Sequence, residues 1–206
     1  MAIVVITKPP SMAKGRLRAE CGTQTGDLMA RAMLLDTLDA VAASSTGERI
    51  VAIDDDAGDW LPTGFRTIPQ RGDGLAQRLA SVFDDVDGPA IVIAIDTPQV
   101  STANLDDAAR LLMSDGTDAV LGPATDGGYW TIGLRSADPR VFVEIPMSTP
   151  TTAAAQLQRL RELELTTRML PELRDIDQLA DAIAVGAEAP NTRLAATVSR
   201  LTAEAP

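Results

Sequence analysis

Short, almost wholly apolar runs separated by helix-periodic windows constrain this chain more than any other feature. "AIVVIT" at 2–7, "RIVAI" at 49–53, "FRTI" at 65–68, "AIVIAI" at 90–95 and "DAVLG" at 118–122 have strand length and little polar alternation. A strand with one wet face alternates, whereas one covered on both faces does not. Between the runs, Leu28, Ala32, Leu35 and Leu38, then Leu75, Leu79, Val82 and Phe83, then Leu105, Ala108, Ala109 and Leu112 recur at the spacing of one buried helical face. Ser101 reads as the N-cap of the third helix and Gly116 as its stop. Further helical windows open at Thr151 or Thr152, Asp177 and Asn191, and the Ala/Pro-rich end after Thr202 is expected to fray. The order β-α-β-β-α-β-α-β predicts a three-layer α/β/α domain around a mostly parallel sheet, with "AIVVIT" and "AIVIAI" as interior strands. At 206 residues and 45% apolar content, one domain spanning 1–206 can bury a full core.

Composition narrows the chemistry. The chain has no histidine and a single cysteine, Cys21, which excludes Ser-His-Asp and Cys-His catalysis, His-ligated metals and an internal disulfide. Any catalysis must use carboxylates, Lys, Arg, hydroxyls or a hard cation. The net charge of −11, without runs of like charge, argues against nucleic-acid backbones and anionic membranes as partners. The N-terminus, "MAIVVITKPP", lacks a charged leader and is too short to span a bilayer, so the expectation is a cytoplasmic protein without membrane insertion. The sequence leaves room for an oligomer.

Ligands of open parallel α/β sheets bind beyond the carboxyl ends of the strands. The loop after the first strand, "KPPSMAKGRLRAECG", carries Lys8, Lys14, Arg16 and Arg18, four of the 18 basic residues. With the flexible Gly15 it reads either as a phosphate cradle or as a solvated loop balancing surface acids. On the first reading, removing Lys14 and Arg16 together weakens nucleotide binding and leaves folding unaffected. The fourth run delivers Asp96 in "IAIDTPQVS", either as a ligand for Mg²⁺ or Mn²⁺ or as a turn cap. Asp126, and Asp175 or Asp177 in "RDIDQL", could complete a metal site. Asp177 reads better as a helix N-cap, which leaves Asp175 the freer ligand. In "LGPATDGGYWTIGL", Gly127 and Gly128 allow close approach of another molecule, and Asp126 sits beside Asp96 if their strands are neighbours. Tyr129 and Trp130 point to opposite faces of a following strand, one into the core and one, taken as Tyr129, into the cleft. Asp-Gly is equally a hairpin signal.

The ordered set "KPPSMAKGRL", "RGDGLAQRL", "IDTPQV", "LGPATDGGYWTIGL" and "RDIDQLADAI" resembles a bacterial family of the nucleotide-diphosphosugar transferase superfamily, to about Ile183. The resemblance implies the type A glycosyltransferase fold, a nucleotide or nucleotide-sugar substrate, a small-molecule acceptor and Mg²⁺ or Mn²⁺ near Asp96. Carried over by motif, Lys14 and Arg16 become phosphate contacts, Asp96 a metal ligand and Asp126, Gly127 and Gly128 part of the substrate pocket, with Asp96 and Asp126 the catalytic carboxylates. Two departures stand out. The first loop is shorter than the family's and more similar to that of 2-phospho-lactate guanylyltransferases, and "IDTP" lacks the second acid of an Asp-x-Asp signature. Glycosyl transfer, nucleotidyl transfer to a phosphorylated small acid, and non-catalytic nucleotide binding therefore stay open.

Overall fold

The computed structural model describes residues 1–54 and 58–204. Seven strands, β1 (Ala2–Ile6), β2 (Glu48–Ala52), β3 (Arg66–Ile68), β4 (Ala90–Ile93), β5 (Ala119–Pro123), β6 (Tyr129–Leu134) and β7 (Thr167–Met169), form one sheet in the order β3-β2-β1-β4-β6-β5-β7. Every strand is parallel to the rest except β6, which runs antiparallel to both β4 and β5. The helices are α1 (Gly15–Cys21), α2 (Thr23–Ala43), α3 (Leu75–Asp84), α4 (Thr102–Leu112), α5 (Thr152–Glu162), α6 (Leu179–Glu188) and α7 (Arg193–Glu204).

The pleat of the central strands divides the core in two. Along β1, Ile3 and Val5 face one side with α2 and α4, while Ala2 and Val4 face the other with α3 and α5. Ile91 and Ile93 of β4 join the first cluster, Ala90 and Val92 the second. Residues two apart on a strand share a face, so wholly apolar strands supply both layers at once. The predicted three-layer architecture and the interior placement of β1 and β4 hold. A third apolar cluster, with Leu17, Met29, Met33, Val185 and Leu194, packs α1, α6 and α7 on the outer side of α2.

That extra layer explains why the predicted face of α2 was only half right. Leu28 is exposed and Leu35 partly so, while Met29, Met33 and Leu34 are buried. A helix buried on two sides has no single apolar stripe. Asp36 of α2 is buried and caps α7, accepting the N–H groups of Arg193 (2.9 Å) and Leu194 (3.0 Å). Ser101 caps α4 with a reciprocal bond to Asn104, as its position in the sequence implies, but the helix ends at Leu112, short of Gly116. The window opening at Thr152 is α5; α6 and α7 begin two residues beyond Asp177 and Asn191. Residues Ala205 and Pro206 of the tail expected to fray lie outside the described residues. "FRTI" forms the three-residue edge strand β3, with Arg66 and Thr67 exposed. No described helix is long and apolar enough to cross a membrane.

Candidate functional site

The carboxyl ends of β1, β4 and β5 open onto a cleft with two lobes. The first, of about 700 Å³, lies between the loop after β1 and the start of α3, and is bordered by Lys8, Lys14, Arg16, Gln70, Gly74 and Arg78. The second, of about 390 Å³, lies beyond β4 and β5, with Asp126, Gly128, Tyr129, Met147, Thr149 and Asp175 among its walls. Arg16, Asp96, Ser148 and Asp177 face both. Helix α3 points its N-terminus into the first lobe, and its N-cap, Gly74, has no side chain to accept the first-turn N–H groups. Such an end attracts anions.

Three carboxylates gather at the second lobe. One oxygen each of Asp126, Asp175 and Asp177 lies within 4.8 Å of the others. Asp175 accepts from the Asp126 N–H (3.2 Å) and the Thr125 hydroxyl (3.3 Å). Burial first, and then the neighbouring Asp126 charge, raise the Asp175 carboxyl above its ordinary value. An all-oxygen donor set under mutual repulsion fits a hard divalent cation such as Mg²⁺ or Mn²⁺. This trio differs from the expected Asp96, Asp126 and Asp175. Gln178 caps α6, and Asp181 accepts the N–H groups of Asp177 and Gln178, so the Asp177 side chain is not spent as a cap. Asp96 is instead engaged by a cation of the protein itself.

That cation is Lys14. Its ammonium lies 2.6 Å from Asp96 Oδ1 and donates to the carbonyl of Ile176, whose own N–H donates to the Asp96 carbonyl (2.9 Å). The first loop, the end of β4 and the segment before α6 are thereby tied together. The Lys14 side chain is 8% exposed, and its backbone is left-handed at φ 53°. The lysine that was expected to reach a phosphate is thus already paired within the protein. Arg16 is 73% exposed and pairs with Asp177, within reach of both lobes. Lys8 stands exposed at the first lobe. Arg18 turns away, to Asp27 (3.1 Å) and the Ser11 carbonyl, and lines neither lobe.

The Asp-Gly-Gly corner is both things the sequence allowed. It is a hairpin loop between β5 and β6, closed by the Ala124 N–H to the Gly128 carbonyl (2.9 Å). It also presents Asp126 to the cleft, held by the Gly128 N–H on Oδ1 (2.7 Å). Gly127 has φ 88°, and a Cβ there would run into the Pro150 carbonyl just ahead of α5. Asp96 and Asp126 belong to the same lobe although β6 separates β4 from β5. The reversal makes this possible, because β6 starts at the edge where its neighbours end. Trp130 is the buried member of the aromatic pair, donating to the Pro171 carbonyl (3.0 Å), and Tyr129 forms cleft wall. The Tyr129 hydroxyl donates to Gln156 Oε1 (3.3 Å), and burial pushes its acidity far out of the physiological range.

Sequence reasoning missed Gln70, Gly74 and Arg78 as cleft residues, although "RGDGLAQRL" is a glycine-rich approach to a helix N-terminus after a strand, the pattern that places a loop at the ligand edge. It also missed Ser148 and Thr149. Ser148 is an exposed serine at φ 58° between the two lobes, a conformation that non-glycine residues adopt uncommonly.

Sheet order, reversed β6 and the cleft at the carboxyl edge define the fold of nucleotidyl and glycosyl transferases. The chain belongs to the bacterial family described as "Uncharacterized protein conserved in bacteria (DUF2064)", whose profile matches residues 37–149. That span holds Asp96 and Asp126 but neither the first loop nor the 174–177 segment, and is narrower than the resemblance read from the sequence. Among solved structures, a candidate nucleotide-diphospho-sugar transferase from Desulfovibrio desulfuricans G20 superposes with a TM-score of 0.86 at 24% identity, over 98% of this chain and 95% of that one. A CMP:2-keto-3-deoxy-manno-octonic acid synthetase complexed with CTP gives 0.57 at 15% identity, over 91% and 97%. The 4-diphosphocytidyl-2C-methyl-D-erythritol synthase of Anaerococcus prevotii DSM 20548 gives 0.57 at 13%, over 91% and 95%. No curated protein matches the chain.

Proposed function

We propose that the protein is a divalent-metal-dependent transferase that uses a nucleotide substrate and moves a sugar from a nucleotide diphosphosugar to a small acceptor. The observation that carries this reading is the adjacency of a cationic lobe, opened by a helix N-terminus, to a trio of carboxylates at the same sheet edge. Lys8, Arg16, Arg78 and the first-turn N–H groups of α3 would hold the diphosphate, with Arg16 and Arg78 exchanging their present partners Asp177 and Asp54 for it. Asp126, Asp175 and Asp177 would hold Mg²⁺ or Mn²⁺, which when bound supplies positive charge for the departing phosphate oxygens. Asp96 lines both lobes and Asp126 the second, and donor and acceptor would meet between them. In the transfer, an acceptor hydroxyl oxygen bonds to the anomeric carbon, the bond from that carbon to the diphosphate breaks, and the nucleoside diphosphate leaves. The hydroxyl proton passes to a cleft carboxylate and on to water.

Nucleotidyl transfer is the second reading, favoured by the synthetases of that type among the structural neighbours. It would release pyrophosphate. Incubation with nucleotides and nucleotide sugars plus Mg²⁺ or Mn²⁺ separates them: nucleoside diphosphate release supports the first and pyrophosphate the second. Binding without turnover would leave a nucleotide-binding protein.

A further inference from the structure

The cations that border the first lobe are held in different ways. Lys14 is fixed between Asp96 and the Ile176 carbonyl. Arg78 is shared among Asp54 (3.0 Å), the Gly72 carbonyl (3.2 Å) and Gln70 Oε1 (3.3 Å). Among the described residues Arg16 has a single partner, Asp177, and that partner is a member of the acidic trio. Both ends of the pair are wet, with side chains 73% and 41% exposed, so it contributes little to folding and can be exchanged at small cost. Arg16 stands in the first turn of α1 and borders both lobes, so a change of rotamer can turn its guanidinium from one to the other.

Each of the two ligands needs one member of this pair. A divalent cation on the trio needs the Asp177 carboxylate, and a guanidinium left beside that carboxylate repels it. A diphosphate in the first lobe needs the guanidinium that Asp177 holds. We propose that the Arg16–Asp177 pair is a latch that couples nucleotide and metal binding. Arg16 masks Asp177, and Asp177 holds Arg16 back from the first lobe, until a ligand fills either site and frees the residue that the other needs. This rests on the first lobe being the nucleotide site and the trio the metal site, and it adds a regulation to that reading. By linkage, the factor by which nucleotide tightens metal binding through Arg16 is also the factor by which metal tightens nucleotide binding.

The test uses the full chain in two arms, each with one ligand, which keeps direct contact between metal and phosphate out of the measurement. In the first, without metal, Asp177→Asn should bind UDP, GDP or CDP about two- to fivefold more tightly than wild type in calorimetry, the worth of an exposed ion pair. In an Arg16→Met background the same substitution should gain less, because there is no guanidinium to release; this double-mutant cycle removes the general effect of deleting a negative charge. In the second arm, without nucleotide, Arg16→Met should bind Mn²⁺ about two- to fivefold more tightly, read from the electron paramagnetic resonance of free Mn²⁺. Lys8→Met, which removes a cation from the same lobe but not from the trio, should change Mn²⁺ affinity less. An Asp177→Asn gain equal in the two backgrounds overturns the latch, as does a Mn²⁺ affinity that Arg16→Met leaves unchanged or that Lys8→Met raises as far. If wild type binds both a nucleotide and Mn²⁺ while these outcomes hold, only the latch falls. If wild type binds none of the nucleotides, or no Mn²⁺, the functional reading falls and the latch with it.

Discussion

Replacing Lys14 by Met keeps the aliphatic stem and deletes the ammonium that joins Asp96 to Ile176. The lysine end is almost fully enclosed while Asp96 is 46% exposed, so the variant leaves one half-hydrated carboxylate and one backbone carbonyl without their donor. Hydrogen bonds to charged groups contribute about 1.5–3 kcal/mol each, and breaking a fully buried ion pair costs about 3–5. Water can reach Asp96, which lowers the total to about 2–3 kcal/mol. At about 2–4 °C per kcal/mol for a chain of this size, the melting temperature should fall by about 4–12 °C. Arg16→Ala removes an exposed pair and should change stability by no more than about 0.5 kcal/mol. Urea titration and calorimetric melting of both variants read the comparison. Equal stabilities for the two would refute the reasoning and return Lys14 to the role of a mobile phosphate contact.

Arg16→Ala should weaken nucleotide binding by about 1.5–3 kcal/mol in calorimetry, the worth of one charge-assisted bond. Asp175→Asn should raise the melting temperature of the metal-free protein near neutral pH and shrink the stabilisation produced by Mg²⁺ or Mn²⁺. Because the folded state raises the Asp175 value, its contribution favours folding at acid pH and is lost as pH climbs past the carboxylate range, so the wild type but not the variant should lose that increment. Gly127→Ala places a side chain at φ 88° against the Pro150 carbonyl and should cost about 2–4 kcal/mol in urea unfolding. Asp36→Ala removes the acceptor of two α7 N–H groups and should cost about 2–4 kcal/mol by the same measurement.

The central strands were legible because burial on both faces writes itself as unbroken apolarity, as in "AIVVIT" and "AIVIAI". Strand β7 left no such trace: Arg168 and Met169 are exposed at a sheet edge, where three residues need only pair their backbone. The site was legible wherever a charged residue followed a strand, hence Asp96, Asp126 and Lys14. Partnership was not. Lys14 and Ile176 are separated by 162 residues, and no local pattern says that the loop lysine is held by the segment before α6. Asp177 was misread for the converse reason, since a local capping rule fits the sequence and Gln178 with Asp181 had taken the task.

The bond between Lys14 and the Ile176 carbonyl also sets a timetable. On the ribosome, β1 and the first loop emerge first, yet the chain must be extended past residue 177, clear of the exit tunnel, before the acidic trio has its second and third members and Lys14 its second partner. Domains fold as they are made, at about 5–20 residues per second, so the sheet can assemble around β1 and β4 while the cleft is still open on one side. A nascent or C-terminally truncated chain ending before Arg174 would carry most of the hydrophobic core and, of the acidic trio, Asp126 alone. The cleft is therefore the last part of the domain to be completed, and its closure reports that synthesis has reached the C-terminal helices.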